Sequence, residues 1–152
     1  MRRIVHATLL IMLLVSPAWA VEASRSIGRT HRTIMSAATA HERTSRKQRE
    51  ATGSVAEIRK AVVHNQAARW ALAKGQEKAA MHLTIEARRI ARELLVKLGE
   101  GNSTSFDADP EETAVAAGGA GKAAEAALAE GEKKVPPVDE FEDKLPHDID
   151  QD

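Results

Sequence analysis

Two apolar stripes mirror each other about Lys74-Gly75, and together they confine this chain to helix-on-helix packing. Upstream, Val55, Ile58, Val62, Asn65 and Leu72 recur at three- and four-residue steps and at multiples of them. Downstream, Ala80, Leu83, Ala87, Ile90 and Leu94 do the same. That spacing places each set on one face of a helix. Folded antiparallel about the turn, Val55 meets Leu94, Ile58 meets Ile90, Val62 meets Ala87 and Asn65 meets Leu83. The register predicts an αα-hairpin over residues 54–98, with Gly75 and Gly99 as C-terminal caps. Ser54 and Glu57 have the spacing of a capping box at its start. One long helix through Gly75 is the competing arrangement, since an internal glycine costs only about 1 kcal/mol. It would leave both stripes wet.

Composition agrees with an all-α fold. Alanine is abundant, β-branched residues do not cluster, and no stretch alternates apolar and polar as a strand does. There is no cysteine, which removes thiolate metal sites, cysteine nucleophiles, disulfides and covalent haem attachment together. Past residue 20 the aromatic side chains are Trp70, Phe106 and Phe141. A stacking platform for bases would use more of them.

The N-terminus carries an address. Arg2 and Arg3 precede an apolar run from Ile4 to Val15, then Ser16-Pro17 breaks the helix and Ala18-Trp19-Ala20 follows. This is the pattern of a secretory signal peptide over residues 1–20, cleaved after Ala20. Its apolar core, about 12 residues, is short of the roughly 20 that span a bilayer. The expectation is therefore a periplasmic or secreted protein with no transmembrane helix after cleavage.

Charge divides the rest. Residues 21–98 hold 16 Lys and Arg against 7 Asp and Glu; residues 99–152 hold 4 against 15. Within the basic half, residues 21–53 are polar, and Ile27, Ile34, Met35 and Ala38 predict a weak helix over about 29–50 with a thin apolar face. The acidic half, with Gly118-Gly119-Ala120-Gly121 and Val135-Pro136-Pro137-Val138, predicts a long disordered tail over residues 99–152, with at most a fraying turn or two at 123–130. A second apolar face, Val63, Ala67 and Trp70 with Met81 and Ile85, predicts either contact with the first helix or self-association.

Candidate chemistry is sparse. No phosphate-binding glycine loop and no nucleophile with an adjacent base stands out, so the expectation is a chain without enzymatic activity. His82 and Glu86 lie four apart, and the hairpin register sets His64 opposite Glu86. Imidazole and carboxylate ligands on one face would suit zinc or copper, so His64, His82 and Glu86 form the candidate metal site. The segment 71–78 resembles the turn region of small histidine-rich periplasmic metal-binding helical proteins, without their histidine at nearly every turn. Leu83-Thr84 is similar to the Leu-Thr-x-x-Gln motif of periplasmic stress-sensing helical proteins, with Ala87 where their glutamine stands. Neither resemblance carries a function over.

Arg43, Arg46, Lys47 and Arg49, and Arg88, Arg89 and Arg92, suit anionic surfaces, with no specific nucleic acid implied. The functional expectation is an exported bacterial helical interaction or scaffold protein, acting through a protein partner or self-association of the hairpin. The alternatives are a periplasmic metal-binding or metal-sensing protein, and a binder of anionic envelope surfaces regulated by its acidic tail.

Overall fold

A computed structural model describes residues 2–45, 52–100, 109–116 and 121–142. Among them the chain is helical throughout, with no strand. The helices are α1 (Arg2–Ser45), α2 (Thr52–Ala73), α3 (Glu77–Lys97), α4 (Pro110–Ala116), α5 (Gly121–Lys134) and α6 (Val138–Glu142). None of the described helices is long and apolar enough to cross a membrane.

The hairpin forms as its periodicity predicts, and α2 and α3 make the most extensive helix pair among the described residues. Gly75 closes α2 with φ +71°. The Gln76 N–H reaches the Ala71 carbonyl at 2.8 Å and the Gly75 N–H reaches Leu72 at 2.9 Å. That paired closure satisfies carbonyls the helix leaves open, and its left-handed residue suits glycine. Leu95, Val96, Gly99 and Glu100 repeat it at the end of α3. The capping box does not form, because α2 already begins at Thr52 and Ser54 lies inside it. Glu57 pairs instead with Lys97 across the hairpin.

Helix α1 lies against both α2 and α3, so the hairpin is two sides of a three-helix bundle. It runs unbroken through Ser16 and Pro17, where the sequence predicts a break. It is also better anchored than a thin stripe implies. Ala23, Ser26, Ile27, Thr30, Ile34, Ala37, Ala38, Ala40 and His41 are all buried. The small side chains among them let the backbones approach closely. Residues 46–51 lie outside the described residues, and with them Arg46, Lys47 and Arg49.

The core is divided into layers. At the open end of the hairpin, Ile34, Val55, Ile58, Val62, Ile90 and Leu94 form an aliphatic cluster. Toward the turn, Ile27, Ala67, Ala68, Ala71, Ala80 and Leu83 form a second, alanine-rich one. Between them is a polar layer with one residue from each bundle helix: Thr30, Asn65 and Thr84, each at most 3% exposed. Asn65, the polar member of the upstream stripe, meets Thr84 at 3.3 Å rather than Leu83.

The largest departure lies in the acidic half. Where a disordered tail is expected, residues 109–116 and 121–142 form α4 to α6, an arm packed on the bundle; the rest of that stretch, 101–108, 117–120 and 143–152, lies outside the described residues. Helix α5 seats Ala124 and Ala127 in the alanine-rich cluster. Val135 and Phe141 enter the aliphatic one. The arm thus buries enough apolar surface to be ordered once a bundle exists to receive it, a gain that composition alone does not reveal. The arm also covers the second apolar face. An ideal Cβ on Gly131 would lie 2.9 Å from the Val63 carbonyl oxygen and 3.4 Å from the Ala67 Cβ. The Lys134 ammonium stands 3.8 Å over the Trp70 ring. Met81 packs with Ala23, Leu72 and Ile85 at the α1 side. The face proposed for self-association is therefore used within the chain.

Candidate anion site

A groove between α1 and α3 gathers four arginines of the bundle. Arg29, Arg32, Thr33 and Ser36 line it from α1, and Arg88, Arg92 and Leu95 from α3, around a volume of about 390 Å³. The spacing explains the gathering. Arg29, Arg32 and Ser36 lie three and four apart, as do Arg88, Arg92 and Leu95, so each helix lines the groove with a single face.

Next to this groove the polar layer continues outward as a chain of hydrogen bonds. The Thr30 hydroxyl donates to the Thr84 carbonyl at 3.0 Å. It accepts from the Arg88 Nε at 3.2 Å. The Arg88 Nη2 donates to the Ser26 hydroxyl at 2.6 Å and to Glu112 Oε1 at 2.5 Å. Ser26 donates to the same carboxylate oxygen at 2.5 Å. Arg29 Nη2 adds a third donor at 3.1 Å. Glu112 Oε2 accepts the Asp109 backbone N–H at 3.2 Å, closing the first turn of α4.

Glu112 thus places a fully buried carboxylate from the acidic half of the chain onto the basic half. Burial alone would raise its pKa. Hydrogen bonds from Arg88 and Ser26, the Arg88 charge and the Asp109 N–H outweigh that and hold it below the ordinary carboxylate value. Arg29 completes a surface cluster, with Glu22 at 2.7 Å and Asp109 at 3.9 Å. Its Nε–H is buried with no acceptor among the described residues.

The expected metal ligands sit elsewhere and do not assemble. His64 is buried on α2, and its Nδ1 bonds the Lys60 carbonyl at 2.8 Å. Burial lowers its pKa, partly opposed by that bond and by the nearby Glu86 charge. Glu86 is engaged by Arg89 through both carboxylate oxygens, at 2.5 and 3.0 Å. That pairing holds the Glu86 pKa low. His82 Nδ1 is buried without a partner among the described residues. No group of three His, Asp or Glu able to hold a metal ion exists among the described residues, so the predicted convergence of His64, His82 and Glu86 does not form. Glu86 is engaged instead by Arg89 on its own helix.

Of the two basic groups expected to meet anions, Arg88 and Arg92 reach the groove. Arg89 instead bridges Glu86 and Glu93. Arg43 pairs with Glu100 at 3.4 Å. The sequence reading missed Arg29, Arg32 and Glu112. A signal for Glu112 was present: Asp109-Pro110-Glu111-Glu112 has a cap residue, a proline at the first helical position and a glutamate at the third.

No family model, no curated protein and no solved structure matches this chain.

Proposed function

We propose that this chain is a non-enzymatic interaction protein of the bacterial periplasm or exterior, and that it binds an anionic partner in the arginine groove between α1 and α3. The signal-like N-terminus supports the location. The groove supports the mode: four guanidinium groups and two hydroxyls line one concave surface. The observation that carries the reading is the buried Glu112 carboxylate beside it, which accepts bonds from Ser26, Arg29 and Arg88. These residues bind an anion within the chain itself. Guanidinium groups suit this task, since their planar donors match carboxylate and phosphate geometry.

The test is retention on heparin across a salt series, comparing the wild type with an Arg32→Gln/Arg92→Gln variant. Each basic residue near an anionic surface contributes about 1 kcal/mol at most, so the double change is expected to weaken low-salt binding roughly ten- to thirtyfold. The difference should shrink as salt rises. Equal retention at every salt concentration would remove the groove from the function.

A further inference from the structure

We infer that the groove's partner is an acidic protein segment that begins a helix, and that α4 is its stand-in within the chain, so that the site exchanges Glu112 for a partner's carboxylate and does not open empty. This rests on the anion-binding reading above and names its ligand.

The first support is how α4 is held. Of its described side chains and its cap, only Glu112 is buried; Asp109, Pro110, Thr113 and Ala114 are exposed. A seven-residue helix has little stability of its own. Among its described side chains the buried contact with the bundle is the Glu112 carboxylate, and a ligand presenting an equivalent carboxylate can replace it contact for contact.

The second support is what α4 would leave behind. The Arg88 side chain is only 7% exposed, and two of its contacts are to the buried Thr30 and Ser26 hydroxyls. A buried guanidinium stripped of its carboxylate is strongly unfavourable, whereas carboxylate-for-carboxylate exchange keeps the pairing. Simple opening is therefore disfavoured relative to replacement.

The third support is the shape of the internal ligand. Glu112 Oε1 takes Ser26, Arg29 and Arg88, while Oε2 takes the Asp109 N–H of its own turn. The carboxylate is presented by a capped helix start, with Asp109 also reaching Arg29 at 3.9 Å. A partner segment with an acidic cap and a glutamate three residues later reproduces both charges. The adjoining groove, with Arg32, Thr33 and Ser36, extends the basic surface past the Glu112 position. The Arg29 Nε–H, buried without an acceptor among the described residues, is a further donor for such a segment.

The experiment uses the full chain and a fluorescein-labelled peptide of its own residues 109–116. The Glu112→Ala and Glu112→Gln variants remove the internal carboxylate, and the second preserves its volume. Circular dichroism and melting establish that each is folded. The labelled peptide should bind both variants saturably. It should bind the wild type at least about tenfold more weakly, because a tethered segment competes at an effective concentration of order millimolar. A peptide with glutamine in place of Glu112 should not bind. Independently of any variant, excess peptide should speed amide exchange across α4 in the wild type and leave α2 and α3 unchanged.

Absence of saturable binding to the folded variants would overturn the proposal. So would equal binding of the glutamine peptide, or wild-type α4 exchange indifferent to peptide. Binding of the Glu112→Ala chain to phosphatidylglycerol vesicles that the peptide cannot compete would assign the site to a membrane instead. Heparin retention that depends on Arg32 and Arg92, with no peptide binding, would sink this inference alone. Loss of both would sink the anion-binding reading with it.

Discussion

Leu94 and Glu112 are both essentially inaccessible to solvent, at 1% and 0%, yet they are held in opposite ways. Leu94 lies in an aliphatic cluster with Val55, Ile58, Val62 and Ile90, where many weak contacts share the load and any one neighbour can shift. Glu112 is fixed by a few directional bonds to Ser26, Arg29 and Arg88. The hairpin thus folds on pooled hydrophobic burial, while the buried contact among the described side chains of α4 is polar. The difference teaches where the molecule is free to change. The hairpin is expected to come apart as a whole, and the arm's attachments to fail one at a time.

The largest expected effect falls on the hairpin. Leu94→Ala should destabilise the protein by about 2–5 kcal/mol, the usual range for emptying a packed leucine site. Urea unfolding followed by helicity should show a lower midpoint in a single transition. A loss confined to the arm, with the hairpin transition unmoved, would reverse the comparison. Acid should act first on the other region. The Glu112 pKa is held low in the folded chain, so its contribution is complete above the ordinary carboxylate value of about 4.3. It is lost as pH falls through that value toward the folded one. Amide exchange across residues 109–116 should therefore quicken in acid before the α2–α3 helicity is lost. Simultaneous loss would mean that arm and hairpin form one cooperative unit.

The same contrast explains what could be read from the sequence. The hairpin was legible because its information is periodic: Ile58, Val62, Ile90 and Leu94 announce a face, and Gly75 announces the turn. The polar layer was not read there: Asn65, set against Leu83 by the register, accepts instead from Thr84, which Thr30 meets from α1. The arm lacked such a pattern. Gly131 reads as a helix breaker, yet α5 uses it to approach Val63. Pro136 reads as a stiff lead into disorder, yet its carbonyl accepts the Arg59 Nε–H at 2.5 Å, and the Val135 carbonyl accepts from Nη2 at 3.1 Å. Such meanings exist only once the surface of α2 is present. The arginine groove was half legible. Arg88 and Arg92 were visible as a basic group, but Arg29 and Arg32 join them only through the crossing of α1 and α3. The metal trio shows the converse: a shared face for His82 and Glu86 and a register that sets His64 opposite Glu86 do not reveal that Arg89 engages the Glu86 carboxylate, and no three-ligand group stands among the described residues.

Gly131 offers a way to separate arm from bundle. A β-branched side chain there has backbone in its path, since even a single Cβ would stand 2.9 Å from the Val63 carbonyl oxygen. Gly131→Val should cost about 1–3 kcal/mol by overpacking. That cost should be confined to the docking of α5. Limited proteolysis should cut the variant within residues 121–142 while the fragment carrying α1 to α3 survives. A global fall in stability with no arm-specific cleavage would show that the bundle depends on the arm as much as the arm depends on it.

The smallest effect tests the outer end of α5. Lys134 is exposed and its ammonium stands 3.8 Å from the Trp70 ring centroid, a geometry worth about 0.5–1 kcal/mol at an accessible site. Lys134→Gln keeps a polar chain but removes the charge, whereas Lys134→Arg keeps a cation over the ring. The glutamine variant should loosen the end of α5 by about that amount, and the arginine variant by less. With Trp19 replaced by phenylalanine, emission reports Trp70 alone. A shift in the glutamine variant that the arginine variant largely reverses identifies the charge on the ring as the holding contact. Identical emission and identical amide exchange in all three chains would mean that this end is held by Arg59 on the Val135 and Pro136 carbonyls and by Val135 in the core, with Lys134 merely lying over the indole.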